Sequence, residues 1–274
     1  SYEMKNLFYV VLLIVLTISC ATNPFSGKKT LAFMPNSQLL PMAFAQYDQF
    51  LLDNKVLKGT TDADMITRVG ERISLAAERW LDANNYQGYL NNYKWEYNLV
   101  DDESINAWCM PGGKIVFYTG ILPIAAGESG VAAIMGHEVA HALANHGQQR
   151  MSAGMIQQVG AAGVAAVTKE KSSVEQDIWM QAYGAGTSVG GMLPFSRSHE
   201  TEADQIGLYL MAIAGYNPDE ASRLWERMKT NSGDKAPKEF LSTHPSNDSR
   251  ISNLKSLAKD AKLEASKYGV TSFK

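Results

Sequence analysis

A basic surface is missing from this chain. Its 25 Lys and Arg stand against 28 Asp and Glu, a formal net charge of −3. That balance removes the electrostatic footprint of a nucleic-acid binder. Cysteine is nearly absent, with Cys20 and Cys109 the only two, so no disulfide framework organises the fold. No apolar run reaches the roughly 18 residues of a membrane-spanning helix. The longest, residues 7–18, is interrupted only by Thr17. Histidine is scarce as well, five in 274 residues, which makes the spacing of any two informative. What remains is an ordinary globular composition, 45% hydrophobic and 19% charged, long enough for one domain or two small ones.

Two of the five histidines stand four apart, in Gly136-His137-Glu138-Val139-Ala140-His141. On an α-helix, residues four apart share a face. His137 and His141 can therefore aim two imidazole nitrogens at one zinc ion. Glu138, one step round the helix, is placed to act as the base on a water at that metal. The flanking Ile134, Met135, Val139, Ala140, Leu143 and Ala144 predict a buried helix, in which histidines need partners. Gly147 reads as its C-cap, with His146 a capping or supporting residue and not a ligand.

The apolar run at residues 7–18 has signal-peptide proportions. A small residue precedes Cys20, a pattern that resembles a bacterial lipoprotein signal, with Cys20 the lipidated residue. The competing reading is an uncleaved hydrophobic anchor. Both put the chain outside the cytoplasm, next to a membrane. The expected organisation is a signal peptide over 1–20, a tether over 21–35 and a single metallopeptidase domain over 36–274. Apolar stripes predict helices over residues 37–53 and 62–83, the second with Ile66, Val69, Ile73, Ala76, Ala77 and Trp80 on one face. Residues 91–119 change period. Alternation at Tyr93, Trp95, Tyr97 and Leu99, the segment 104–110, the Pro111-Gly112-Gly113 turn and the run 115–118 predict a small antiparallel β-meander beside the metal helix. Its edge strand could capture an extended peptide or be purely structural. Residues 151–193 are rich in Gly and Ala, and read either as a mobile lid or as two loosely packed helices. Further helices are expected over 196–214, 218–230 and 247–267.

A catalytic zinc needs a third protein ligand. In the segment 196–204, Glu200 and Asp204 share a helix face, with Glu202 on roughly the opposite side. Glu200 is the expected ligand. Asp204, one turn on, can accept the spare ring N–H of a ligand histidine.

Taken together, HEVAH, the Ser-Arg-x-x-Glu-x-x-Ala-Asp-like letters after it, Glu103-Ser104-Ile105-Asn106-Ala107 with Pro111-Gly112-Gly113, and Thr243-His244-Pro245 with Arg250 resemble the CAAX prenyl protease/HtpX-type zinc metallopeptidases. The match is best to their soluble, periplasmic, BepA-like lipoprotein branch. The resemblance implies a predominantly helical α+β fold of the gluzincin type and one Zn2+ held by His137, His141 and Glu200. It brings His244 near the metal, where His244 or Arg197 could stabilise an oxyanion, or His244 could fill the fourth zinc position. It also implies an endopeptidase acting on unfolded or misassembled envelope polypeptides, lipid-anchored to a membrane, with the outer membrane favoured. The alternative is a chaperone-like polypeptide binder with a latent or structural metal site.

Overall fold

A computed structural model describes residues 20–153, 169, 196–230, 238–245 and 247–274. The segment expected as a lid, apart from residues 151–153 and 169, and the apolar run at 7–18 lie outside the described residues. The chain divides into two compact units, residues 1–39 with 145–193, and residues 40–144 with 194–274.

In the first unit, residues expected as a tether form a short hairpin. Strand β1 (Cys20–Thr22) pairs antiparallel with β2 (Lys29–Leu31). The Asn23 side chain accepts from the Phe25 N–H at 2.9 Å, an Asx-type turn that competes with extended chain. Ser152 Oγ accepts from the Phe33 N–H at 3.1 Å, and Gln148 Nε2 donates to Met34 O at 2.7 Å.

The second unit is mainly helical with a four-stranded sheet, as the α+β expectation requires. Helix α1 (Asn36–Asp53) buries Tyr47, whose hydroxyl donates to Ile115 O at 2.8 Å. After the two-residue β3 (Val56–Leu57), α2 (Thr61–Ala83) begins at an N-cap, Thr60, whose side chain accepts from Ala63 N. Asp62 and Asp64 complement the positive end of the helix dipole. The predicted stripe from Ile66 to Trp80 is the buried one, each full aliphatic burial contributing roughly 1.5–3 kcal/mol.

The meander does not form as expected. Strands β4 (Glu96–Val100), β5 (Ala107–Met110) and β6 (Lys114–Tyr118) lie in the order β3-β4-β6-β5, and β4 pairs with β6 in parallel. The reason is burial. Lys114 through Phe117 are all buried, so β6 needs cover on both sides and takes the centre, while β5 is half-buried beyond Ala107 and takes the edge. The β5–β6 turn is made by Gly112 and Gly113 at φ 85° and 86°, a backbone that side-chain-bearing residues rarely adopt.

A 3₁₀ turn and the short α3 (Leu122–Ala125) lead from β6 into α4 (Glu128–Leu143), every residue of which is buried from Gly130 onward. It ends at Leu143, with Asn145 at φ 56° and Ala144 as its C-cap, three residues before the Gly147 cap expected from sequence. Tyr89 and Tyr93 hydroxyls donate to the Leu143 and Ala142 carbonyls at 2.7 and 3.3 Å, satisfying groups a helix end leaves open. Helix α5 (Arg197–Ile213) crosses α4 backbone to backbone. A Cβ placed on Gly136 would lie 2.6 Å from Gly207 O, and one on Gly207 would lie 2.8 Å from His137 N. Helices α6 (Asp219–Thr230), α7 (Lys238–Thr243) and α8 (Asp248–Ser266) complete the unit. Among the described residues no single helix is long and apolar enough to cross a membrane.

Candidate metal centre

The glycine crossing of α4 and α5 explains how the site assembles. It sits one residue before His137 and three after Asp204, so the two helices approach most closely where their polar side chains face each other. Ser196 caps α5, accepting from His199 N, and puts Glu200 in the first turn, where its charge is favoured. His244 follows α7, its N–H donating to Phe240 O at 2.8 Å and its ring 4.7 Å from the buried Phe240 ring.

Four donors converge. His137 Nε2 is 3.1 Å from His141 Nε2 and 3.1 Å from His244 Nδ1. Glu200 Oε1 is 2.9 Å from His244 Nδ1 and 3.2 Å from His141 Nε2. One donor atom from each of the four lies within 4.8 Å of all the others, and all four residues are buried. Zinc bonds of 2.0–2.1 Å in a tetrahedron give edges of about 3.3–3.4 Å, so the spacing suits that ion. Proton bookkeeping agrees. His137 Nδ1 lies 3.0 Å from Asp204 Oδ1, so a ring proton kept there would free the Nε2 lone pair for a metal. A shared cation would replace the protons that otherwise bridge these buried nitrogens. Zinc fits this donor set.

The electrostatics follow from burial and from these pairs. Burial pushes the metal-free His137 imidazole down, but Glu200 and Asp204 outweigh it and raise the pKa to about 9. Burial drives His141 well below its ordinary value. Glu200 is held far below the carboxylate range, because His137, His141 and His244 overcome its desolvation. Asp204 is lowered too, with Arg250 the chief force against burial. Glu138 moves the other way, since burial raises it. Its Oε1 is buried without a hydrogen-bond partner among the described residues, 3.4 Å from His244 Nε2.

The structure thus brings His137, His141, Glu200, His244, Asp204 and Glu138 together. Arg197 is exposed at the start of α5, on the cavity that Glu200, Asp204 and Arg250 also line. His146 is outside the donor group. Cys109 lies on β5, its thiol pushed well up by burial and then by Glu138, which suits a packing role. Sequence reasoning gave Arg250 no role, yet its guanidinium reaches Glu200 and Asp204 of α5. A signal was present: a basic residue in the first turn of a helix opposes the dipole and calls for an anionic partner.

Two helices crossing at glycine, with an HExxH pair on one and a carboxylate on the other, define a metallopeptidase-type centre. The chain belongs to peptidase family M48, whose model matches residues 72–258, more than half its length. It is 35% identical over 176 residues to the mitochondrial metalloendopeptidase OMA1 of Schizosaccharomyces pombe, 64% of this chain and 50% of that protein. It is 27% identical over 251 residues to the metalloendopeptidase OMA1 of Homo sapiens, 87% of this chain and 46% of that one. Against the beta-barrel assembly-enhancing protease of Escherichia coli strain K12 it is 28% identical over 174 residues, 60% of this chain and 34% of that protein. The chain spans about half the length of the first curated relatives it matches.

Proposed function

We propose that this chain is a zinc-dependent endopeptidase, with His137, His141 and Glu200 holding the metal and Glu138 the catalytic base. The observation that carries the proposal is the buried four-donor cluster with an unsatisfied carboxylate, Glu138, beside it. Zinc, when bound, supplies Lewis acidity toward the scissile carbonyl and a more acidic water. Glu138 would accept a proton from the attacking water at Oε1 and hand it to the leaving amine. Its raised pKa brings the carboxyl closer to the operating pH, where a general base works best. Asp204 holds the His137 tautomer through Nδ1.

His244 has two candidate roles, and its geometry favours one. Nδ1 points into the donor set, 2.9 Å from Glu200 Oε1, while Nε2 faces Glu138. His244 would therefore supply a fourth ligand, and would have to turn aside for substrate. Among the described residues the β5 edge pairs on one side only, with β6, so an extended peptide can add to its other side. A chaperone-like role is not favoured, because a structural metal has no use for a buried base.

Cys20 is exposed and makes no disulfide, compatible with a lipid attachment that tethers the chain to a bacterial envelope membrane. Similarity to a beta-barrel assembly-enhancing protease supports misassembled envelope proteins as substrates. The OMA1 relatives are mitochondrial by name, so compartment differs among the proteins this chain resembles. Glu138→Gln is the test. It should retain zinc and lose cleavage of casein; cleavage at the parent rate would remove the proposal. Radiolabelled palmitate should enter the parent and not Cys20→Ala.

A further inference from the structure

Arg250 is a long cation with 7% of its surface exposed. Burying a charge so deeply is costly unless its hydrogen-bonding capacity is used, and here it is. Nε and Nη2 grip Asp204 Oδ2 and Oδ1 at 2.8 and 2.7 Å. Nη1 reaches Glu200 Oε2 at 2.7 Å and donates to the Pro245 carbonyl at 3.1 Å. The guanidinium carbon lies 3.8 Å from the centre of the Trp225 ring, which closes one face of the plane.

These contacts have a consequence for the metal. Arg250 Nη1 engages Glu200 Oε2, which also lies 3.5 Å from His137 Nε2, and so favours Oε1, the oxygen nearest His141 and His244, as the metal-facing one. Asp204 is held by both its oxygens while Oδ1 also meets His137 Nδ1. The Pro245 carbonyl follows His244 directly, so the same cation fixes the backbone that presents the His244 ring. We infer that Arg250 is a positioning residue for the metal centre: one guanidinium orients Glu200 directly, His137 through Asp204, and His244 through Pro245. This deepens the proposed function and rests on Glu200 and His137 being ligands.

The competing account is that Arg250 merely neutralises two buried acids. Lysine separates the two, since it keeps the charge but is a point donor that cannot fork across two carboxylates and a carbonyl. Arg250→Lys should fold, yet bind zinc roughly 10- to 100-fold more weakly in competition with a chelating dye, the usual loss when a group supporting a ligand is removed. Its cobalt(II)-substituted form should change visible absorption as Glu200 is freed to offer both oxygens. A cavity of ≈ 280 Å³ lined by Arg250, Glu200 and Asp204 opens beside the side chain, so millimolar guanidinium should restore affinity to Arg250→Ala, whereas methylammonium should not. If Arg250→Ala does not fold, the lysine variant and its cobalt spectrum still decide. Parent-like zinc affinity and cobalt spectrum in Arg250→Lys, or equal rescue by methylammonium, would overturn the inference. Glu200→Ala is measured alongside. If it loses metal while Arg250→Lys does not, only the positioning role falls. If it keeps metal at parent affinity, the ligand reading falls and takes this one with it.

Discussion

Gly207→Ala is a sharp probe of the fold's claim on the site. In an open helix interior this change stabilises by about 1 kcal/mol. Here the new methyl would sit 2.8 Å from His137 N, 2.9 Å from Gly136 C and 3.0 Å from Gly136 O, all backbone atoms that cannot swing aside. Restoring ordinary contact near 3.5 Å requires the helices to part by roughly 0.7 Å. Overpacking of this kind costs about 1–3 kcal/mol, so the helix-propensity gain loses. The same displacement would stretch the 3.0 Å His137 Nδ1–Asp204 contact to about 3.7 Å, beyond useful hydrogen bonding. Urea denaturation of metal-free protein should therefore show a net loss, and zinc competition a weaker site. A Gly207→Ala variant at least as stable as the parent, with unchanged zinc affinity, would refute the argument that the crossing sets the site.

Other outcomes are expected. Glu200→Ala should strip zinc from the purified protein by metal analysis, whereas Glu202→Ala should leave it; the reverse result would transfer the ligand role. The metal-free His137 has its pKa raised from 6.5 to about 9, so its contribution is complete below pH 6.5 and is lost as pH climbs through 9. Metal-free protein should lose on the order of 1–3 kcal/mol across that window, and zinc-saturated protein should not, because bound metal excludes that proton; equal slopes in thermal melts would contradict the pairing. Tyr89→Phe removes the donor to Leu143 O and should cost about 1 kcal/mol, with faster amide exchange confined to the end of α4 as its signature.

Much of the fold was legible because its helices carry their own instructions. The α2 stripe, the apolar run around His137 and the shared face of Glu200 and Asp204 are periodic signals that survive packing. The strand order was not legible, since period gives strand existence and not partners. What decided it was that the run 115–117 is buried throughout, a property of the centre of a sheet. Arg250 was hidden for another reason: its partners lie 46 and 50 residues away in sequence, and only the α5–α8 packing brings them together. The Gly136–Gly207 contact was similarly silent, for a lone glycine in a helix reads as a flaw until its neighbour across the crossing is known.

The donors are also divided in sequence. Helix α4 contributes both of its imidazoles by residue 141, whereas the carboxylate arrives at 200 and the last imidazole at 244. A polypeptide emerging amino end first from a ribosome or a translocation pore would carry half a cage for some sixty residues. Assembly of the full donor set is then a late event in biogenesis, gated by emergence of residues 200–244, and a chain truncated before α5 would lack both later donors.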